Sequence, residues 1–219
     1  LALPYIVLVS FIWLASSLIY INLFSQIALV SLIPGVIAFR YGLETLKLIA
    51  GPVLFLYFAV PAGDFLIPHL QQITAVMAVF ILQLIGIPTF SDGLYISIPQ
   101  GNFLVAEACS GISFLISSFT LGVFYSLLSI QETKKRLFFI VISFILPIIA
   151  NGIRVFMIIT IGYFVSMEAA SGFDHLVYGW IFFTLVVLLL IYIGEKLADK
   201  PNAATTQGRI SLTRHSLKL

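Results

Sequence analysis

The sequence predicts an all-α fold, a polytopic transmembrane helical bundle of about six to eight membrane segments. Composition is the first observation: 61% of the 219 residues are hydrophobic and only 9% charged, against about a quarter charged in a soluble domain. The second is a mean hydropathy of +1.14. The third is that apolar runs follow one another with only short polar breaks, and about 20 residues suffice to cross ~30 Å of hydrocarbon. The net charge of +2 is gathered in short basic clusters rather than on one face. It implies membrane lipid as the surroundings and no nucleic-acid partner.

Taken in order, residues 4–22 form a first apolar span and 27–39 a second, interrupted at Pro34-Gly35, with the hairpin turn expected around Phe24-Ser25-Gln26. The chain opens on Leu1 with no basic flank and no cleavage-site pattern after the first run, so it reads as having lost upstream sequence rather than as starting with a signal peptide. Residues 48–60 make a span bounded by Gly51-Pro52 and Pro61. Residues 65–85 start polar, with His69, Gln71, Gln72 and Thr74, and then turn apolar; they cross, lie in the interface, or dip in and return. Around 87–104, prolines, glycines and the alternation Leu94/Ile96/Ile98 predict an extracytoplasmic loop or small β-ribbon. A span from Ser110 to about Leu128 ends at Lys134-Lys135-Arg136. Residues 137–164 form a long span containing Pro147 and a polar break, Asn151-Gly152-Ile153-Arg154; 166–174 are a loop and 175–193 the last span. Residues 1–200 are expected to be one membrane domain, and 201–219 a polar, disordered cytoplasmic tail.

Short loops rich in Lys and Arg stay on the cytoplasmic side, which places Lys134 to Arg136 and the tail from Lys196 inside. Cys109 precedes Lys134 by 25 residues, or about 37 Å of helix. Arg154 lies 18 residues beyond Arg136 and His175 lies 21 before Lys196, about 27 and 31 Å. All three are expected at the outer boundary of the hydrocarbon. If Arg40 to Lys47 is also inside, 65–85 cannot cross once, and an interfacial start followed by a re-entrant or strongly tilted helix is the favoured solution.

Each residue has a bland reading: Arg154 as a snorkelling anchor, His175 as an interfacial cap, Cys109, the chain's only cysteine, as a small buried hydrophobe. Their convergence on one level argues for chemistry. A thiolate at a helix N-terminus beside a cation is a nucleophile. A histidine carries its proton, and an arginine stabilises the thiolate or an oxyanion. Asp174 is a weak candidate to orient His175, and His69 a spare base. Ser110 and Gly111 allow close backbone approach and an amide for an oxyanion hole, and Glu107 reads as a carboxylate near a helix N-terminus. The ligand count is too low for a metal, and no cofactor is expected.

Glu107-Ala108-Cys109-Ser110-Gly111-Ile112, then Asn151-Gly152-Ile153-Arg154, then His175 with Gly179-Trp180 after it, resemble the exosortase/archaeosortase family of membrane transpeptidases. The proline-rich stretches at 58–61 and 85–88 are similar too, so the resemblance covers most of residues 26–194. It implies Cys109 as nucleophile with Arg154 and His175 as the other catalytic positions, and Glu107, Ser110, Gly111 and Asn151 as supporting ones. The implied activity is that of a cysteine peptidase and transpeptidase in the cytoplasmic (inner) membrane. It would cleave Pro-Glu-Pro-like C-terminal sorting signals ahead of an anchor helix on exported proteins, in envelopes that produce exopolysaccharide, and pass the protein to an acyl acceptor the sequence does not identify. The alternatives are a transporter that binds an anionic solute at Arg154 in a helix broken after Pro147, and a non-enzymatic component of polysaccharide export.

Overall fold

The computed structural model describes residues 2–60, 63–171 and 174–199, with the backbone alone at 171 and 174–177. Both residues of the expected 201–219 tail boundary and the tail itself lie outside them. Among the described residues, five helices are long and apolar enough to cross a membrane, and two shorter apolar helices, Ala2–Leu18 and Ala50–Ala59, accompany them. The predicted all-α membrane architecture is what the chain adopts, in two compact units, Leu1–Leu66 and Ile67–Leu219.

In the first unit, helix α1 (Ala2–Leu18) packs along α2 (Asn22–Tyr41), followed by α3 (Leu43–Leu48) and α4 (Ala50–Phe55), which runs into a 3-10 turn, Leu56–Ala59. The hairpin turn falls at 19–21, earlier than expected, and Phe24-Ser25-Gln26 is inside α2. The reason is Tyr20, which takes the left-handed conformation (φ 58°) that normally advertises itself as glycine. The Ile21 N–H then bonds back to the Ser16 carbonyl at 3.0 Å. Pro34 does not interrupt α2, and a Cβ on Gly35 would lie only 2.9 Å from the Tyr5 ring, so the two helices meet at closest approach there.

The second unit is organised on one helix, α7 (Thr133–Phe164), against which α5 (Ile67–Leu84), α6 (Ile112–Ser129), α8 (Met167–Ser171) and α9 (Asp174–Leu197) all pack. α7 is unbroken through Pro147 and Asn151-Gly152. The expected polar break is therefore a set of side chains on a continuous helix, and the geometry that the transporter alternative needs is missing. Pro147 is itself buried, in a setting where membrane helices accommodate prolines when neighbouring groups take up the freed carbonyl. α5 is also uninterrupted, with Pro68 in its first turn where no N–H is required; it does not dip in and return. It runs parallel to α7, because Thr74 meets Asn151, Met77 meets Gly152, and Ala78 and Leu82 share a core with Val155 and Ile159. α6 and α9 run antiparallel to α7. Gly111 faces Asn151 and Gly122 faces Ser143, while Gly179 faces Arg154 and Gly194 faces Phe139. Buried Ser118, Gly122 and Ser126 bring α6 close to α7, where a methyl at 122 would overlap Ser143 Oγ; small residues are the usual means of close packing where lipid removes the hydrophobic drive.

Between α5 and α6 the chain forms the expected β-ribbon, an antiparallel meander of β1 (Phe90–Asp92), β2 (Tyr95–Ile98) and β3 (Gly101–Leu104). The alternation holds: Ile96 and Ile98 are buried against Ala78, Leu82, Val155 and Ile159 while Tyr95 is exposed. Removing one such isoleucine from water stabilises by about 1.5–3 kcal/mol. The ribbon is anchored to α5 and the last third of α7, and it delivers the chain to Cys109.

At the other end of the unit, the Asp199 carboxylate accepts the Gln131 N–H at 2.6 Å and lies 3.7 Å from Lys135 Nζ. The Gln131 amide holds its carboxyl below the ordinary value of 3.8. A depressed carboxylate stabilises above its unfolded pKa, and that contribution disappears as pH falls through the folded value. Wild type is therefore expected to melt above Asp199→Asn at neutral pH, and the two melting curves to converge below about pH 4.

Candidate functional site

Cys109 does not open a helix as expected. It closes a 3-10 turn, Glu107–Cys109, and α6 starts three residues later after Gly111, whose φ of +78° reverses the chain. The physical reason lies across the interface: Asn151 fills the space where a side chain at 111 would go, with its Cγ 2.5 Å from an ideal Cβ. The thiol is half-buried and remains just N-terminal to α6.

The turn is held from two sides. Internally, the Cys109 N–H bonds the Ala106 carbonyl at 2.8 Å and the Ser110 N–H bonds the Glu107 carbonyl at 3.0 Å. Those two amides are thus spent and unavailable to an oxyanion. Externally, Asn151 Nδ2 donates to the Cys109 carbonyl at 2.8 Å and to Thr74 Oγ1 at 3.0 Å. Gln71 Nε2 donates to the Val105 carbonyl at 2.7 Å. Because a carbonyl oxygen only accepts, both amides have a single possible orientation. Asn151 Oδ1 is buried with no hydrogen-bond partner among the described residues. Ser110 is buried and its Oγ accepts a long bond from Ile112 N at 3.4 Å, at the start of α6. Glu107 and His69 are exposed.

Arg154 is 7% exposed on α7, three residues past Asn151 and therefore on the same face. Its guanidinium lies 5.5 Å from the centre of the Phe114 ring, and Phe114 stacks on Phe183 of α9 at 4.4 Å. Arg154 shares that face of α7 with Asn151, whose side chain holds the Cys109 carbonyl at 2.8 Å. On its other side it meets Gly179, where a Cβ would lie 3.0 Å from Nη2 and 3.1 Å from Nε. Position 175 lies on α9 one turn before Gly179, and the His175 side chain lies outside the described residues. The structure thus brings the Cys109 turn, Asn151 and Arg154 together.

Gly179→Ala tests this packing directly. The obstructing atoms are the tip of a flexible side chain, so the fold is expected to tolerate the methyl, with a stability loss of about 1 kcal/mol or less. The guanidinium must move, and activity is expected to fall by about 10- to 100-fold. Melting and activity assays on the same preparation separate the two effects.

Three contributors were not singled out by sequence reasoning. Gln71 and Thr74 read as the polar start of an interfacial segment, and Phe114 as one of 20 phenylalanines. The available signal was the spacing of Gln71 and Thr74, three residues apart and hence on one helix face. Nothing in the sequence marked Phe114.

Among curated proteins and among solved structures nothing matches the chain. The model of one family does, described as transmembrane exosortase, over residues 1–192. Its members are in general membrane-embedded sorting transpeptidases that act on exported proteins with C-terminal signals. With a match over most of its length, a helical membrane architecture and a cysteine turn tied to α7 one turn from its buried arginine, this chain belongs to the transmembrane exosortase family.

Proposed function

We propose that the chain is a cysteine transpeptidase of the cytoplasmic membrane that cleaves C-terminal sorting signals, Pro-Glu-Pro-like in character, at the outer face. The observation that supports this most is that Asn151 ties the Cys109 carbonyl to α7 one turn before Arg154, whose guanidinium lies against Phe114 and Gly179. A cation fixed there in an apolar setting stabilises the charge that develops on a substrate carbonyl oxygen.

The reaction runs in two halves. His175 takes the thiol proton, and Cys109 Sγ attacks the carbonyl carbon of the scissile peptide bond. Arg154 stabilises the oxyanion, and the Gly111 amide is a candidate backbone donor beside it. The C–N bond breaks as His175 returns the proton to the leaving amine, which departs with the anchor helix. The thioester on Cys109 is then attacked by an acceptor nucleophile, or by water. His175 removes the nucleophile's proton and passes it to the departing thiolate. The remaining site residues, Glu107, Ser110 and Asn151, act in this reading by shaping the turn.

The test is to trap the intermediate. Coexpression with a tagged exported protein bearing such a signal and anchor helix is expected to give a covalent adduct on the enzyme. Neutral hydroxylamine should release it, as it does a thioester, and Cys109→Ala should not form it. Processing that continues in Cys109→Ala, with no adduct in wild type, would defeat the proposal.

A further inference from the structure

Four polar side chains are buried at the level of the candidate site in addition to Arg154: Gln71, Thr74, Ser110 and Asn151. Packing does not ask for the two on α5. Valine has the shape of threonine, and methionine approximates glutamine, without the penalty of burying a polar group in an apolar helix interface. Thr74 is 1% exposed and Gln71 7%.

Their bonds converge on one object. Gln71 holds the Val105 carbonyl, at the start of the stretch that carries the thiol. Asn151 holds the Cys109 carbonyl, at its end, and Thr74, one turn along α5 from Gln71, receives the second Asn151 N–H. The turn's own hydrogen bonds set its shape but not its place relative to α7, from which Arg154 projects. That placement comes from the side chains of α5 and α7, one at each end of the turn. We infer that Gln71 and Thr74 are positioning residues of the site: Gln71 directly, and Thr74 through Asn151, fix the Cys109 turn against α7 so that the thiol stays beside Arg154. The inference rests on the reading of Cys109 as nucleophile.

Cys109 is the only cysteine in the chain, so any thiol reagent reports on it alone. The experiment uses the full chain and the variants Thr74→Val, Thr74→Ser, Gln71→Met, Asn151→Ala and the Thr74→Val/Asn151→Ala double. For each, it reads processing of the tagged substrate, melting temperature and the maleimide alkylation rate of the thiol. Thr74→Val and Gln71→Met are expected to lower processing by about 10- to 100-fold, to change the alkylation rate, and to leave melting near wild type. Thr74→Ser should restore both rates, and the double variant should be no worse than Asn151→Ala, because two residues acting through one contact are not additive. An unchanged alkylation rate in Thr74→Val and Gln71→Met would overturn the inference whatever processing does. So would failure of serine to rescue, or losses that multiply in the double variant. Processing by Cys109→Ala at the wild-type rate would instead remove the nucleophile reading, a separate result.

Discussion

Cys109→Ser is expected to fold and insert as wild type does and to lose about 10³-fold or more of its processing activity. The substitution changes one atom on a half-buried side chain, and the turn around it is held through its backbone carbonyl, which serine keeps. What changes is the nucleophile. A thiol ionises readily beside a fixed cation, whereas a hydroxyl does not, and the arginine's placement near the sulfur would then serve no attacking anion. A solute carrier with a cation in the same place would be indifferent to the exchange. Retained processing by the serine variant, measured on the tagged substrate with expression matched, would contradict the acyl-transfer mechanism.

Gly111→Ala is expected to damage fold and site together. The position has a φ of +78°, which costs an L-residue roughly 1–2 kcal/mol. The new methyl would also lie 2.5 Å from Asn151 Cγ and 2.9 Å from its Nδ2. Asn151 is 2% exposed and bonded on two sides, so it has no room to retreat, and such overpacking costs about 1–3 kcal/mol more. A loss of roughly 2–5 kcal/mol is the sum. Because the obstructed side chain is the one that holds the Cys109 carbonyl, the surviving folded fraction should also process poorly. Melting that matches wild type would show that the left-handed turn is not as tight as described.

That Cys109 and the Asn151 to Arg154 segment belong to one region was legible in the sequence, because it follows from two robust quantities, the rise of a helix and the position of basic clusters. The ribbon was legible from its two-residue alternation. Less was visible where backbone conformation departs from residue type. Tyr20 occupies a left-handed position without being glycine, so the first hairpin was placed too late. Gly111 looked like a small residue inside a helix start, when it is the reversal that keeps Cys109 out of the helix. Asn151-Gly152 after Pro147 looked like a break, yet α7 continues through it because neighbouring helices bury the segment. Contacts across helices, such as Gln71 to Val105 or Arg154 over Phe114, depend on side-chain direction at long sequence separation and have no local signature.

The two arginines of α7 have a further consequence. Arg136 is tied to the Ile130 carbonyl through Nε and Nη2, at 3.0 and 2.7 Å, and Arg154 is wedged between an aromatic ring and a glycine. Neither cation is placed to slide along the helix toward water. They are 18 residues apart on one continuous helix, about 27 Å, close to the hydrocarbon thickness of an ordinary bilayer. A rod with a pinned charge near each end works as a gauge. In a thicker or thinner lipid layer the membrane has to deform around it, the helix has to tilt, or a guanidinium has to leave the contacts that hold it. Lipid chain length is then expected to set how far the bilayer bends, or α7 leans, around the pair.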